Sequence, residues 1–265
     1  MARQQPGVPA AFGPAPVPAL HKGNLEAPGV IDLSRAGLAY IRPEGDELRI
    51  GAMTTYADVV GSEPVRDHAP LLVRMAQGIT GGVQITGQGT LGGSACAGRP
   101  HSDFPAVACA LDTAVVIRGG GTERTVPMSG FLQGAQSCDL APHEFVVEFR
   151  LPRPVVTESS YHKLKFAAGT WPIVTAATTV EARDDGATAR LRLTLGGVGN
   201  IPLTVRGDRF PMDDLLREDS VASVLRALEA ASAAYDGWWS DVYAPGDYRK
   251  QVAPHVARRS LNGLE

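Results

Sequence analysis

The sequence has few cysteines and lacks the Cys-x-x-Cys spacing. Its three cysteines, Cys96, Cys109 and Cys138, lie far apart in the chain, which excludes a zinc or iron–sulfur site built from these cysteines alone. The odd number indicates reduced thiols and a cytoplasmic protein. The six histidines show no metal-ligand spacing, so we expect them to be surface or capping residues and expect no bound metal ion.

The sequence also lacks an excess of basic residues and any long hydrophobic run. It has 25 Lys and Arg against 28 Asp and Glu, a net charge of −3, which disfavours nucleic acid as a partner. No apolar run approaches the ~18 residues of a membrane span, and no signal peptide is recognisable. The chain has 265 residues, 44% of them hydrophobic, enough for one large or two small domains with a core.

Proline and glycine are abundant, with 20 and 30 residues, and this composition indicates many loops. Residues 1–27 form a Pro- and Ala-rich segment without a helical or alternating pattern. Pro152 and Pro154 interrupt the pattern later in the chain, since proline has no amide hydrogen to give to a helix or a sheet. We therefore divide the rest of the chain into residues 28–153 and residues 154–265.

Local patterns predict strands and helices in both parts. Strands are predicted at residues 30–33, 38–41, 48–50, 114–118, 145–151, 161–166 and 189–195. Helices are predicted after a cap at Thr54 or Thr55, at residues 68–77 and at residues 103–111. A further helix is predicted after the cap Ser220, with the apolar positions Val221, Val224, Leu225 and Leu228. The last helix is predicted at residues 247–261, where Pro254 should kink or split it.

The most unusual segment is residues 78–99, where the density of glycine predicts neither a packed helix nor a strand. Residues 87–92 match the Gly-x-Gly-x-x-Gly pattern of dinucleotide-binding folds, and Asp112 follows at the spacing of that fold's ribose-binding acid. That fold also needs a long helix after the glycines, which Gly98 and Pro100 should prevent. We therefore disfavour a Rossmann-type dehydrogenase.

Two other interpretations of this segment remain open. Successive backbone amides in a glycine-rich loop can form a nest that binds phosphate, and Thr90 and Ser94 would add hydroxyl groups. Ser102 could then cap the next helix, and the carboxylate of Asp103 would suit a sugar or ribityl hydroxyl rather than a phosphate. The alternative is a glycine-rich surface loop that binds nothing.

Three short motifs occur in a recognisable order: Thr-Leu-Gly-Gly-Ser at 90–94, Ser-Asp-Phe-Pro at 102–105 and Tyr-His-Lys at 161–163. With further motifs they resemble the FAD-binding medium subunits of the molybdenum hydroxylases, the xanthine dehydrogenase and carbon monoxide dehydrogenase type, over roughly residues 28–263. The further motifs are residues 30–34, 48–55, 84–85, 111–112, 143–152, 195–198, 240–241, 248–249 and 258–259.

The resemblance implies an α+β fold. Its first part is a vanillyl-alcohol-oxidase-type (PCMH-type) FAD-binding domain at residues 28–153. The first subdomain of that domain is truncated, and residues 1–27 are its remnant. A smaller α+β C-terminal domain of the molybdenum-hydroxylase flavoproteins follows at residues 154–265.

The resemblance also implies noncovalently bound FAD. The amides of residues 92–94 would bind its phosphates, and Asp103 would accept a hydrogen bond from a hydroxyl. Val147 would form part of an apolar wall, and Lys163 would place a cation near the flavin. No residue of this chain is implied to be catalytic, and the implied cofactor-binding residues are Gly81, Thr90, Gly92, Gly93, Ser94, Ser102, Asp103, Val147 and Lys163.

In this family FAD takes electrons from [2Fe-2S] clusters on a small iron–sulfur subunit, and a molybdenum cofactor on a large subunit reduces those clusters. The resemblance therefore implies an oxidoreductase subunit that passes electrons to an external acceptor within a hetero-oligomer. The molybdenum cofactor and the [2Fe-2S] clusters are expected on the partner chains, because the cysteines of this chain do not have the spacing to hold a cluster.

One motif departs from the family. The family's first flavin loop is Ala-Gly-Gly followed by two polar residues, whereas residues 11–15 here read Ala-Phe-Gly-Pro-Ala. Pro14 has no amide hydrogen to give to a phosphate. This departure leaves a second interpretation open, a structural subunit of such a complex that has lost tight FAD binding.

Overall fold

The computed structural model describes residues 31–152, 156–182, 187–211, 214 and 218–264. These residues form two antiparallel sheets of five and four strands, and helices pack against both. The mixture of helices with antiparallel sheets confirms the predicted α+β class. Within these ranges no helix is long and apolar enough to cross a membrane.

The first sheet and a small hairpin use the strands β1 (Ile41–Glu44), β2 (Glu47–Gly51), β3 (Ala114–Gly119), β4 (Thr122–Pro127), β5 (Leu132–Gly134), β6 (Ser137–Cys138) and β7 (Glu144–Pro152). The sheet has the order β1-β2-β7-β3-β4, and β5 pairs with β6. Gly45 turns the chain between β1 and β2 with a φ of +61°, a conformation that glycine adopts without strain.

The helices of this part are α1 (Tyr56–Gly61), α2 (Glu63–His68), α3 (Pro70–Gln77), α4 (Gly82–Gln88), α5 (Leu91–Ala97), α6 (Asp103–Ala110) and α7 (Met128–Phe131). Thr55 caps α1 and forms a capping box with Asp58, which confirms the predicted cap. In the core, Phe104 of α6 packs edge-on against Phe149 of β7, with ring centroids 5.0 Å apart.

The second sheet consists of β8 (Val156–Lys165), β9 (Pro172–Ala182), β10 (Thr188–Gly196) and β11 (Leu203–Pro211), in the order β11-β10-β9-β8. Two further helices, α8 (Glu218–Ala234) and α9 (Gly246–Leu261), pack on it, α8 against β11 and α9 against β8 and β9. The predicted apolar positions of α8 are all buried, which confirms the helical pattern: Val221, Val224, Leu225 and Leu228.

Helix α6 joins the two sheets. All eight of its residues are buried, and it contacts α3 as well as β9 and β10. At its C-terminal end, Arg192 of β10 donates to the carbonyl oxygen of Ala110 (3.1 Å) and pairs with Asp112 and Glu181. The side chain of Arg192 is only 4% exposed, so these partners compensate a buried charge. The bond to Ala110 also holds the second sheet against α6.

Several predicted boundaries differ from the structure. Residues 31–33 form no strand, because the side chain of Asp32 accepts the amide of Ser34 (2.8 Å) in a turn. Val30 lies outside the described residues. The first strand begins at Ile41 rather than at residue 38.

Three helix predictions also need correction. The helix predicted at residues 68–77 begins at Pro70, a residue favoured at a helix start. Ser220 lies inside α8 rather than at its cap, and its Oγ donates to the carbonyl oxygen of Asp214 (2.8 Å). Pro254 is predicted to kink or split helix α9, and the helix continues through this residue without a split. Buried residues on both sides of Pro254, Ala253 and Val256, pack this helix against the sheet.

Arg249 provides a test of this packing. It is fully buried, donates to the carbonyl oxygen of Gly197 (2.8 Å) and pairs with Asp241 at 2.6 Å. We expect Arg249→Leu to lower the free energy of unfolding by about 3–5 kcal/mol, because it leaves buried acceptors unpaired. Arg258→Leu, at an exposed position of the same helix, should change it by less than about 1 kcal/mol. Equal losses in urea denaturation would contradict this account.

Candidate functional site

The glycine-rich segment folds into α4 and α5, so the prediction that it contains no helix is wrong. Helix α5 begins because the side chain of Thr90 accepts the amide of Gly93 (3.0 Å), a cap that offsets part of the cost of glycine in a helix. It ends at Gly98, whose φ of +53° is typical of a helix C-terminus. The helix has only seven residues, consistent with the prediction that Gly98 prevents a long one.

The amides at the start of α5, those of residues 91–94, all donate within the chain. The amide of Gly92 donates to the carbonyl oxygen of Ala52 (2.8 Å). A Cβ atom at Gly92 would lie 2.7 Å from that oxygen, so the close approach of two backbone segments requires glycine here. The amides expected to bind phosphate thus already have acceptors, and what the segment offers to a ligand is its hydroxyl side chains.

Three hydroxyl groups meet beside α5. The Oγ atom of Ser94 lies within hydrogen-bonding distance of the Tyr56 hydroxyl and accepts from Ser102 Oγ at 3.4 Å. Ser102 occupies the N-cap position of α6 but makes no capping hydrogen bond. Its hydroxyl donates to Ser94 instead. Burial raises the pKa of Tyr56, which keeps its hydroxyl protonated.

A buried ion pair lies next to these hydroxyls. Asp103 begins α6 and is 3% exposed, and its Oδ1 accepts from Lys163 Nζ at 3.0 Å and from the Tyr161 hydroxyl. Both donors come from β8. Burial and the charge of Asp103 raise the pKa of Tyr161, so it remains a donor. We use the name polar seam for this set: Tyr56, Ser94, Ser102, Asp103, Tyr161 and Lys163.

The other predicted residues lie on the elements around the polar seam or at its edge. Val147 is buried on β7, and its carbonyl oxygen accepts the amide of Ala52 (3.0 Å), the residue that also contacts Gly92. Gly81 is an exposed residue directly before α4, with a φ of +112°. Ala52 therefore links Val147 to α5, because it bonds to both Val147 and Gly92. Gly81 lies in an exposed turn.

His101, the residue before Ser102, packs against aromatic rings. Its ring centroid lies 4.6 Å from that of Trp171 and 6.4 Å from that of Tyr243. Burial lowers the pKa of His101 to about 4, with a smaller contribution from Arg99, so the ring is neutral near pH 7. The expectation of a surface or capping role is therefore wrong for this histidine.

The strand arrangement excludes the dinucleotide-fold interpretation of residues 87–92. The residues directly before them lie in α4 rather than in a strand. Neighbouring strands of both main sheets are antiparallel, whereas that fold needs parallel strands joined by helices. Asp112 pairs with Arg192 and, at 3.6 Å, with Arg206, which accounts for its charge without a ribose.

Comparison with known proteins identifies the family. A family model described as the FAD binding domain in molybdopterin dehydrogenase matches residues 10–154, more than half of the chain. The chain belongs to this family. The carbon monoxide dehydrogenase medium chain of Hydrogenophaga pseudoflava is 33% identical over 236 residues, 88% of this chain and 80% of that protein. The medium chain from Afipia carboxidovorans is 30% identical over 257 residues, 96% and 87% of the two chains.

A solved structure agrees with this assignment. A chain of the carbon monoxide dehydrogenase from Hydrogenophaga pseudoflava superposes with a TM-score of 0.80 at 28% identity, covering 94% of this chain and 85% of that chain. The predicted family and FAD-binding fold are thus confirmed, and the chain is an FAD-binding medium subunit of the molybdenum hydroxylase family. The departing first flavin loop, residues 11–15, falls within the matched range but outside the described residues.

The polar seam fits the polar part of FAD through its side chains. The hydroxyls of Ser94 and Ser102 are donors that suit phosphate oxygens, and the Lys163 ammonium is the cation expected near the flavin. The Asp103 carboxylate is an acceptor that suits hydroxyl groups. A set of donors and an acceptor within one buried site matches a cofactor that carries both phosphates and a ribityl chain.

Two members of the polar seam, Tyr56 and Tyr161, are absent from the predicted site residues. Tyr161 lies two positions before Lys163 on β8, so both side chains leave the same face of the strand, and this spacing could have identified it. Tyr56 carries no comparable signal, since its contact with Ser94 joins residues 38 positions apart.

His101 allows a test by pH. Because its pKa in the folded protein is about 4 against an ordinary 6.5, the unfolded chain takes up the proton first as the pH falls. We expect wild type to lose up to about 3 kcal/mol of stability from this residue between pH 7 and pH 4. His101→Phe keeps a ring against Trp171 but does not titrate, so its loss should be smaller. Parallel stability curves for the two proteins in urea would contradict the buried neutral state.

Proposed function

We propose that this chain is the FAD-binding electron-transfer subunit of a molybdenum-containing hydroxylase or dehydrogenase. It receives electrons from [2Fe-2S] clusters and passes them to an external acceptor. The observation that supports this most strongly is the polar seam: Ser94, Ser102 and Asp103 lie on the segment that matches the FAD-binding family, and Asp103 binds Lys163 of β8. Bound FAD supplies both one-electron and two-electron reduction, which suits transfer between clusters and a two-electron acceptor.

In this proposal, side chains of the polar seam hold the polar chain of the cofactor. Ser94 and Ser102 would exchange their hydrogen bonds with Tyr56 and with each other for bonds to phosphate oxygens, and Asp103 would accept from a ribityl hydroxyl. Lys163 is only 12% exposed, so its charge acts at low dielectric and is stronger than at the surface. Tyr161 holds the Asp103 carboxylate in place through its hydrogen bond.

The remaining proposed residues shape the site rather than donate to FAD. Thr90 fixes the start of α5 through Gly93, and Gly92 allows α5 to lie against Ala52. Val147 gives apolar surface for the flavin ring. Gly81, with its positive φ, would allow the backbone before α4 to approach the cofactor.

The proposal includes partner chains. A [2Fe-2S] cluster takes four protein ligands, and this chain has only three cysteines, so the clusters are placed on a small iron–sulfur subunit. The molybdenum cofactor is placed on a large subunit, giving a cytoplasmic hetero-oligomer. Within this chain the proposed FAD domain ends near residue 153, between the end of β7 at Pro152 and the start of β8 at Val156.

A second candidate is a structural subunit that has lost tight FAD binding. The observation that favours it is the intrachain use of the amides at the start of α5, which removes backbone donors from a phosphate site. Pro14 also favours this candidate, because it stands where the family has a polar residue and has no amide hydrogen to give to a phosphate. The two candidates differ in whether the purified complex retains flavin.

Flavin release tests the proposal. Acid precipitation of the purified complex should release FAD in a one-to-one ratio with this chain. Ser94→Ala should raise the dissociation constant for FAD about 5- to 10-fold, the effect of one lost hydrogen bond. Gly93→Asp should abolish retention, because it adds a negative charge beside the phosphates.

Glu123→Gln, on the exposed β4 strand, is the matched control and should retain FAD fully. Circular dichroism checks that each variant is folded. A colourless supernatant from an otherwise active wild-type complex would support the structural subunit. Equal flavin content in folded Gly93→Asp and in the control would remove α5 from the site.

A further inference from the structure

The hairpin β5-β6 lies against the C-terminal end of α5. The amide of Gln136 donates to the carbonyl oxygen of Gly98 at 2.7 Å. A Cβ atom at Gly98 would lie 3.0 Å from the backbone nitrogen of Ser137, so the two backbone segments are in direct contact. This contact brings Cys138, the last residue of β6, to Cys96, the sixth residue of α5.

The two cysteines interact through both backbone and thiol groups. The Cys138 thiol donates to the carbonyl oxygen of Cys96 at 3.7 Å. A hydrogen bond between the two thiols raises the pKa of Cys96 and lowers that of Cys138. Cys96 is 7% exposed, whereas Cys138 is half-buried. The pair thus has the arrangement of a reactive, accessible thiol beside a buried second thiol.

The third cysteine provides an internal contrast. Cys109 lies inside α6 and is 8% exposed, and burial raises its pKa to about 12. It has no thiolate at neutral pH and therefore cannot start the attack on peroxide.

We propose that Cys96 and Cys138 form a reversible disulfide when the protein meets hydrogen peroxide. The proposal rests on the contact between α5 and the hairpin, and it does not depend on the bound cofactor. A disulfide here would tie the hairpin to α5, the helix that Thr90 caps and that carries Ser94 in its first turn. Oxidation would thereby restrain the far end of a helix that contributes to the polar seam.

The chemistry balances with one peroxide per disulfide. The Cys138 thiolate attacks a peroxide oxygen, so that an S–O bond forms, the O–O bond breaks and the leaving hydroxide takes a proton to become water. The Cys96 thiol then attacks the sulfenic sulfur of Cys138. An S–S bond forms, the S–O bond breaks, and the second hydroxide leaves as water with the proton of Cys96. Two thiols lose two electrons, and hydrogen peroxide gains them.

Thiol counting and peptide mapping test the proposal. Treatment of the purified, reduced chain with a small excess of hydrogen peroxide should lower the free thiols from three per chain to one. Trypsin releases Cys138 in residues 125–150 and both other cysteines in residues 75–118, because proline follows Arg99. The oxidised protein should give these two peptides as one linked species, which dithiothreitol separates.

Cys109→Ala is the matched control, because it makes the assignment of the linked peptide unique. The link should persist in Cys109→Ala and should be absent from Cys138→Ala and Cys96→Ala. The proposal is overturned if wild type and Cys109→Ala both lack the linked peptide after oxidation. It is also overturned if the link survives in Cys96→Ala, or if its yield depends on protein concentration, which would indicate a bond between two chains.

Discussion

The Asp103 carboxylate is the point where charge and packing join the two sheets. It begins α6, whose eight residues are all buried, and it binds Lys163 and Tyr161 from the first strand of the second sheet. A buried carboxylate is costly unless a cation and further donors compensate it. Both conditions are met only when the second sheet lies against α6, so this interaction fixes the geometry of the polar seam.

Elements that depend on a local pattern could be predicted from the sequence alone. The stripe that includes Val224 and Leu228 predicts the buried face of α8, because helical periodicity reports burial directly. The cap of α1 at Thr55 follows from local hydrogen bonding. The motif residues Asp103 and Lys163 were identified through resemblance, yet nothing in the sequence shows that they bind each other across 60 positions.

The helices of the glycine-rich segment could not be predicted from the sequence, because contacts with distant residues stabilise them. Glycine disfavours an isolated helix by roughly 0.5–1 kcal/mol relative to alanine, so its density predicts a loop. In the folded protein Gly92 is needed because α5 touches the backbone at Ala52, and the Thr90 cap satisfies an amide. Tertiary contact thus outweighs propensity, and it also engages the amides that an isolated loop would have offered to a phosphate.

Hydrogen exchange of the backbone amides, measured with and without FAD, tests the central claim that the polar seam is the cofactor site. We expect FAD to slow exchange in residues 90–103 and 161–165, which carry all of the polar seam except Tyr56, and to leave the β3–β4 turn at residues 119–122 unchanged. Slowing at residues 90–103 without any at 161–165 would contradict a site shared by the two sheets. No slowing in either segment, with FAD bound, would place the cofactor elsewhere.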